Sequence, residues 1–149
     1  MSYSIGQMSK MFNIPVSTLR YYDSEGLFPN LERKSGIRVF SDHEVDTLHL
    51  IECLKKTGLG IREIRQFINW MKEGPSTYEK RKKLMEQQRD NVEEQIRAMQ
   101  KNLAMIKYKC WYYEKAVEDG NEDQITAMLP DKLPEDIQPL YDISHDRIN

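Results

Sequence analysis

The chain has 149 residues, 22 Lys+Arg against 24 Asp+Glu, a formal net charge of −2, and 31% charged against 39% hydrophobic residues. That length suits one domain or a small domain with an appendage, and no run of roughly 18 apolar residues exists to span a membrane. The start, MSYSIGQMSKMF, lacks a secretory leader's basic segment and apolar core, so a cytoplasmic location is expected.

In chain order, Ser4 caps a first short helix through Phe12, with Ile5, Met8 and Phe12 inward. Asn13-Ile14-Pro15 turns the chain, because proline pushes its predecessor out of helical space. A second helix begins near Val16 or Ser17 and ends at Gly26, which suits a left-handed cap. Two short helices joined by such a turn read as a helix-turn-helix. Lys34-Ser35-Gly36 lies between strand-like segments within residues 31–40, which predicts a β-hairpin with Gly36 at positive φ. Ser41 and Glu44 form a capping box for a third helix up to Thr57-Gly58. Its apolar stripe is Val45, Leu48, Ile51 and Leu54 or neighbouring Leu50. A fourth helix, from Ile61 to near Lys72, presents Ile64, Ile68 and Met71 before Gly74-Pro75 breaks the chain.

Ser76 to Glu79 repeats the capping-box spacing and opens a helix free of Gly and Pro from Thr77 to Glu118. At a rise of 1.5 Å per residue it would extend about 63 Å. Val92, Ile96, Met99, Leu103, Ile106, Cys110, Tyr113 and Val117 recur at alternating four- and three-residue intervals, the seam of a coiled coil. No second long heptad follows in the chain, so the expected partner is another copy; packing as one wall of a globular core is the alternative. Beyond Gly120, Pro130, Pro134 and Pro139 predict an irregular acidic tail, with a short helix around Asp123 to Met128. The expected architecture is mainly α: a winged helix-turn-helix over 1–73 with a second helical pair, a long dimerisation helix over 76–119 and a tail over 120–149.

Charge divides unevenly: +2 over residues 1–72, +3 over 73–109 and −7 over 110–149. An acidic tail thus masks a mildly basic body, and such asymmetry directs attention to a localised basic face. The second helix offers Ser17, Thr18, Arg20, Tyr21 and Tyr22, whose hydroxyls and guanidinium suit phosphate and base edges. The hairpin adds Arg33, Lys34 and Arg38 where a wing would flank that helix.

These segments resemble the MerR family of bacterial transcription regulators. The resemblance rests on Ile5-Gly6-Gln7, on Ser17-Thr18-Leu19-Arg20-Tyr21-Tyr22, on Gly26-Leu27-Phe28-Pro29 and on Gly36-Ile37-Arg38-Val39-Phe40. Gly58-Leu59, Arg62-Glu63-Ile64 and the long helix continue it. Ile37 and Phe40 stand where the family commonly has tyrosine. The resemblance implies a winged-helix homodimer joined by antiparallel long helices on a palindromic promoter. In the activated state such regulators bend and untwist DNA to realign the elements that RNA polymerase reads, so double-stranded promoter DNA and polymerase are the expected partners. It further implies that Thr18, Arg20, Tyr21 and Tyr22 address one half-site. Arg33, Lys34 and Arg38 would grip flanking backbone, and Arg62, at a helix start, a phosphate.

Metal-sensing branches carry several cysteines, near the start of the long helix and after it. Here Ser76-Thr77-Tyr78 opens that helix and no Cys follows Gly120, so neither a metal nor another cofactor is expected. The residues after Gly120 are too few for the large ligand domain of multidrug-sensing branches. Cys53 shares a helix face with His49 and Lys56, whose positive charge would favour the thiolate. Its surroundings, Leu50 to Gly58, with Glu73 to Tyr78 and Trp111 to Glu114, resemble the aldehyde- and thiol-stress-responsive subgroup that uses one cysteine at this position. The alternatives are a small apolar packing residue, a noncovalent ligand as signal, or a coiled-coil interaction protein. Cys110 lies on the seam, where packing accounts for it. No enzyme is expected, because His49 and Cys53 lack an evident orienting group and oxyanion hole.

Overall fold

The computed structural model describes residues 1–147. Its elements are β1 (Ser2–Tyr3), α1 (Ile5–Phe12), α2 (Val16–Ser24), β2 (Glu32–Lys34), β3 (Ile37–Ser41), α3 (Asp42–Lys56), α4 (Ile61–Glu73), a 3-10 turn (Pro75–Thr77), α5 (Tyr78–Asp119), α6 (Asp123–Met128) and α7 (Gln138–Ser144). They divide into two units, one ending at Arg89 and one beginning at Asp90.

In the first unit, the Ser4 hydroxyl accepts from the Gln7 amide at 3.1 Å and the Gln7 side chain accepts from the Ser4 amide at 2.8 Å. This reciprocal box starts α1, and Asn13, at φ 53°, ends it. Ser35 and Gly36, at φ 51° and 77°, make the two-residue turn with positive φ at both positions that favours a twisted hairpin. The register pairs Glu32 with Val39, Arg33 with Arg38 and Lys34 with Ile37. A two-residue β1, too short to leave an alternating pattern in the sequence, adds to the other side of β3 in the order β1-β3-β2. Met8, Leu19, Leu27, Phe40, Leu48, Ile51 and Ile64 are completely buried in one core, each side chain contributing about 1.5–3 kcal/mol by leaving water.

Two local expectations change in this unit. Met71 is 46% exposed rather than inward, because it lines an open cleft with Pro29, Leu50 and Ile68. The second capping box does not form. Gly74, at φ 91°, and Pro75 impose a 3-10 turn instead. Thr77 is buried there with its hydroxyl 2.6 Å from the Trp70 carbonyl and 2.7 Å from that of Gly74. Arg81 donates to the Gly74 carbonyl at 3.0 Å, so the start of α5 satisfies carbonyls left open at the end of α4. Leu84 and Met85 then pack on the first core, and the Gln88 amide donates to the Thr57 carbonyl, which ties these turns of α5 to the first unit.

In the second unit, the segment after Gly120 is folded rather than irregular. Besides α6 at the expected residues, α7 forms, and Tyr108, Leu133 and Ile137 are buried with Met105, Trp111, Tyr112, Leu140 and Tyr141 around them. Pro139 sits in the first turn of α7, where its missing N–H is no loss. The Tyr112 hydroxyl donates to Glu122 at 2.8 Å, and that bond pushes its pKa up to about 12.

These helices cover the Ala104 and Tyr108 face of α5. The heptad seam lies on another face, with Ile96, Met99, Leu103, Ile106, Tyr113 and Val117 between 49% and 83% exposed. Cys110 is exposed there too. Among the described residues no helix is long and apolar enough to cross a membrane.

Candidate nucleic-acid interface

The outer face of α2 carries Ser17, Arg20 and Tyr21, all exposed, beside half-buried Thr18. The three- and four-residue spacing of Ser17, Arg20 and Tyr21 puts them on one face. Leu19 and Tyr22 occupy the inward face, again three apart. The structure therefore withdraws Tyr22 from the exposed group in which it was expected. Its ring is 1% exposed; its hydroxyl donates to the Glu52 carboxylate at 2.9 Å and accepts from the Lys55 ammonium at 2.7 Å. Burial raises the Tyr22 pKa, with the Lys55 bond acting the other way, and the same bond raises that of Lys55, so a neutral phenol sits between two charged groups of α3. Tyr22→Phe keeps the ring and leaves Lys55 and Glu52 without this partner. It is expected to lower unfolding free energy by about 1–3 kcal/mol in denaturant titration. A change within about 0.5 kcal/mol, the range of an inert surface substitution, would show that the hydroxyl does not tie α2 to α3.

On the wing, Arg33 and Lys34 are exposed and Arg38 is half-buried. Arg33 and Arg38 face each other across the β2–β3 pair, an arrangement that destabilises a hairpin when two like charges lack a counterion. Asp23, at the end of α2, supplies one. Its Oδ2 accepts from Arg33 Nη2 at 3.0 Å and from Arg38 Nε at 2.8 Å. Each guanidinium has five N–H donors, so this carboxylate engages one of each five. In the sequence, Asp23 is marked only as an acid closing a helix just before a hairpin with three cations. Ile37 is 68% exposed at the wing tip, whereas Phe40 is fully buried with its ring edge-on to Phe28 at 5.5 Å. An apolar side chain at position 40 thus serves the core.

Arg62 is exposed in the first turn of α4, and Arg65, three residues on, lies 3.5 Å from Glu25. That ion pair holds this side of α4 against the chain just after α2. Residues 1–89 carry a net charge of +4 and residues 90–149 a net −6, so the unit that presents these groups is the basic one.

Cys53, His49 and Lys56 are all exposed on α3. His49 also meets the Phe12 ring of α1 at 4.6 Å between centroids. Lys55, which reaches Tyr22, lies two residues from Cys53 and so roughly 160° around the helix. The thiol therefore looks out from a side of α3 turned away from Lys55.

The MerR HTH family regulatory protein description matches residues 3–69, and the MerR DNA-binding description matches residues 45–108. An HTH-type transcriptional regulator of Haemophilus influenzae is 35% identical over 136 residues, covering 91% of this chain and 98% of the relative. The crystal structure of HiNmlR, a MerR family regulator lacking the sensor domain and bound to promoter DNA, superposes with a TM-score of 0.71 at 36% identity, over 83% of this chain and 99% of that one. A MerR family transcriptional regulator from Bacillus thuringiensis gives 0.65 at 47% identity, over 74% and 97%.

Proposed function

The chain belongs to the MerR family of helix-turn-helix regulators, and from that premise we propose that it binds a two-fold promoter site as a homodimer, deforms the duplex for RNA polymerase, and answers thiol-reactive electrophiles at Cys53. It is a DNA-binding transcription regulator and not an enzyme. The observation that carries the DNA reading is the shared surface of α2 and the wing, with Ser17, Thr18, Arg20 and Tyr21 beside Arg33, Lys34 and Arg38. Base edges are read from the helix, and the wing cations and Arg62 hold phosphates.

The exposed seam of α5 supports the homodimer, since its apolar positions have the spacing that a second helix would cover. A two-fold protein suits a palindromic site, one half-site for each copy. Regulation through bending and untwisting then needs no large additional protein surface, because the deformation itself changes how polymerase meets its elements.

For the signal, the relative bound to promoter DNA lacks the sensor domain, and in this chain the proposed switch is Cys53 on α3. The Cys53 thiolate attacks an aldehyde carbonyl carbon, the carbonyl electron pair moves to oxygen, and a proton from solvent gives a hemithioacetal. The adduct alters the outer face of α3 and leaves the DNA-facing side chains in place. Cys53→Ser is expected to keep operator affinity within about twofold, inside the range of an inert surface change, and to abolish induction of a promoter reporter by formaldehyde. Undiminished induction would remove Cys53 as sensor. A noncovalent signal is the second reading, favoured by a cleft of about 460 Å³ whose lining combines apolar Leu50, Ile68 and Met71 with polar His43, Asp46 and Lys72.

A further inference from the structure

We infer that Asp23 is a positioning residue for sequence recognition, which couples the wing to the reading helix so that the two address DNA as one rigid surface. The inference rests on α2 being the recognition helix and deepens that reading. Tyr22 and Asp23 are consecutive and point to different partners. Tyr22 is bonded to Glu52 and Lys55 of α3. Asp23 is bonded to Arg33 of β2 and Arg38 of β3. The last turn of α2 is thereby pinned to the scaffold on one side and to both wing strands on the other.

The geometry separates this role from that of an ordinary surface ion pair. One carboxylate oxygen accepts from two cations that belong to opposite strands of the same register pair. Asp23 and Arg38 keep only 15% and 23% of their side-chain surface exposed, against 49% for Arg33, so the inner bond is partly shielded from solvent screening. A negative charge beside DNA opposes binding in itself, and its presence in this face calls for a compensating use. The use is preorganisation. Wing and helix are ordered during folding, so less ordering remains for the moment of binding. Nonspecific attraction needs only the cations, whereas reading a sequence needs wing phosphate contacts and α2 base contacts in one fixed register.

The test uses full-length protein, the duplex that it selects from a random-sequence library, and a scrambled duplex of equal length at one salt concentration. Asp23→Asn removes the charge with little change of shape. Affinity for the scrambled duplex should hold or rise, affinity for the selected duplex should fall, and their ratio should drop by about tenfold or more, a size comparable to one mismatched base pair. In an Arg33→Ala, Arg38→Ala background the same substitution should move the ratio by less than about twofold, because the groups through which Asp23 acts are gone. Arg38→Lys, which keeps the cation but not the planar fork, should lower the ratio in the same direction and covers the case in which Asp23→Asn fails to fold. A ratio unmoved by Asp23→Asn, or a drop undiminished in the double-alanine background, overturns the inference. Failure of the unsubstituted protein to select any sequence overturns the recognition-helix reading as well, and so is distinguishable from both.

Discussion

Arg20→Ala is expected to weaken binding to the selected operator by about 1–3 kcal/mol, the value of a good side-chain-to-base contact. Arg20 is exposed on the outer face of α2 beside Ser17 and Tyr21, with Leu19 buried behind it. Truncation therefore leaves the core intact and removes a guanidinium from the outer face of α2. Loss of a base contact should appear as relaxed sequence preference at one position of each half-site. A lost phosphate contact would instead weaken all duplexes nearly uniformly and shallow the salt dependence by about one contact. Electrophoretic mobility or anisotropy titration against single-position variants of the operator distinguishes the two. Binding unchanged at fixed salt would place recognition elsewhere than on α2.

The joint substitution Leu103→Glu, Ile106→Glu should convert a dimer to a monomer at micromolar concentration, as read by sedimentation equilibrium. Both residues are near the middle of the seam and are 49% and 61% exposed in the single chain. The neighbouring Ala104 and Tyr108 are the positions buried within the second unit. Charge at 103 and 106 is therefore tolerated by the monomer and opposed by a dimer, which would bury four carboxylates in an apolar seam. Helix content and melting temperature of the second unit should change little. Operator affinity should fall by a factor on the order of 100 or more, because two linked half-site contacts become one. A variant that remained dimeric would mean that another surface joins the copies.

Much of this fold is legible because its punctuation is local. The cap at Ser4, the capping box at Ser41, the Ser35-Gly36 turn and the positive φ of Gly26 each follow from one or a few residues and their backbone preferences. The errors arise where a local signal competes with a longer-range one. Ser76 to Glu79 has the spacing of a capping box, yet Thr77 is drawn instead to the end of α4 by the turn that Gly74 and Pro75 impose. Prolines after Gly120 read as breakers, yet Leu133 and Ile137, ahead of α7, and Leu140 and Tyr141, within it, gather around Tyr108. On α2, residue type alone does not tell Tyr21 from Tyr22. Adjacent tyrosines differ by about 100° around a helix, and the partners that capture Tyr22 lie 30 and 33 residues away on α3. Asp23 was hidden for a related reason: its meaning depends on the cross-strand pairing of Arg33 with Arg38, a tertiary fact.

A dimer that reads duplex DNA once with each copy should leave a two-fold hydroxyl-radical footprint on the duplex that the full-length protein selects. Two protected patches of inverted sequence related by a two-fold axis are expected, both lost together in Leu103→Glu, Ile106→Glu. A single protected patch, or protection that is indifferent to sequence, would contradict such a dimer.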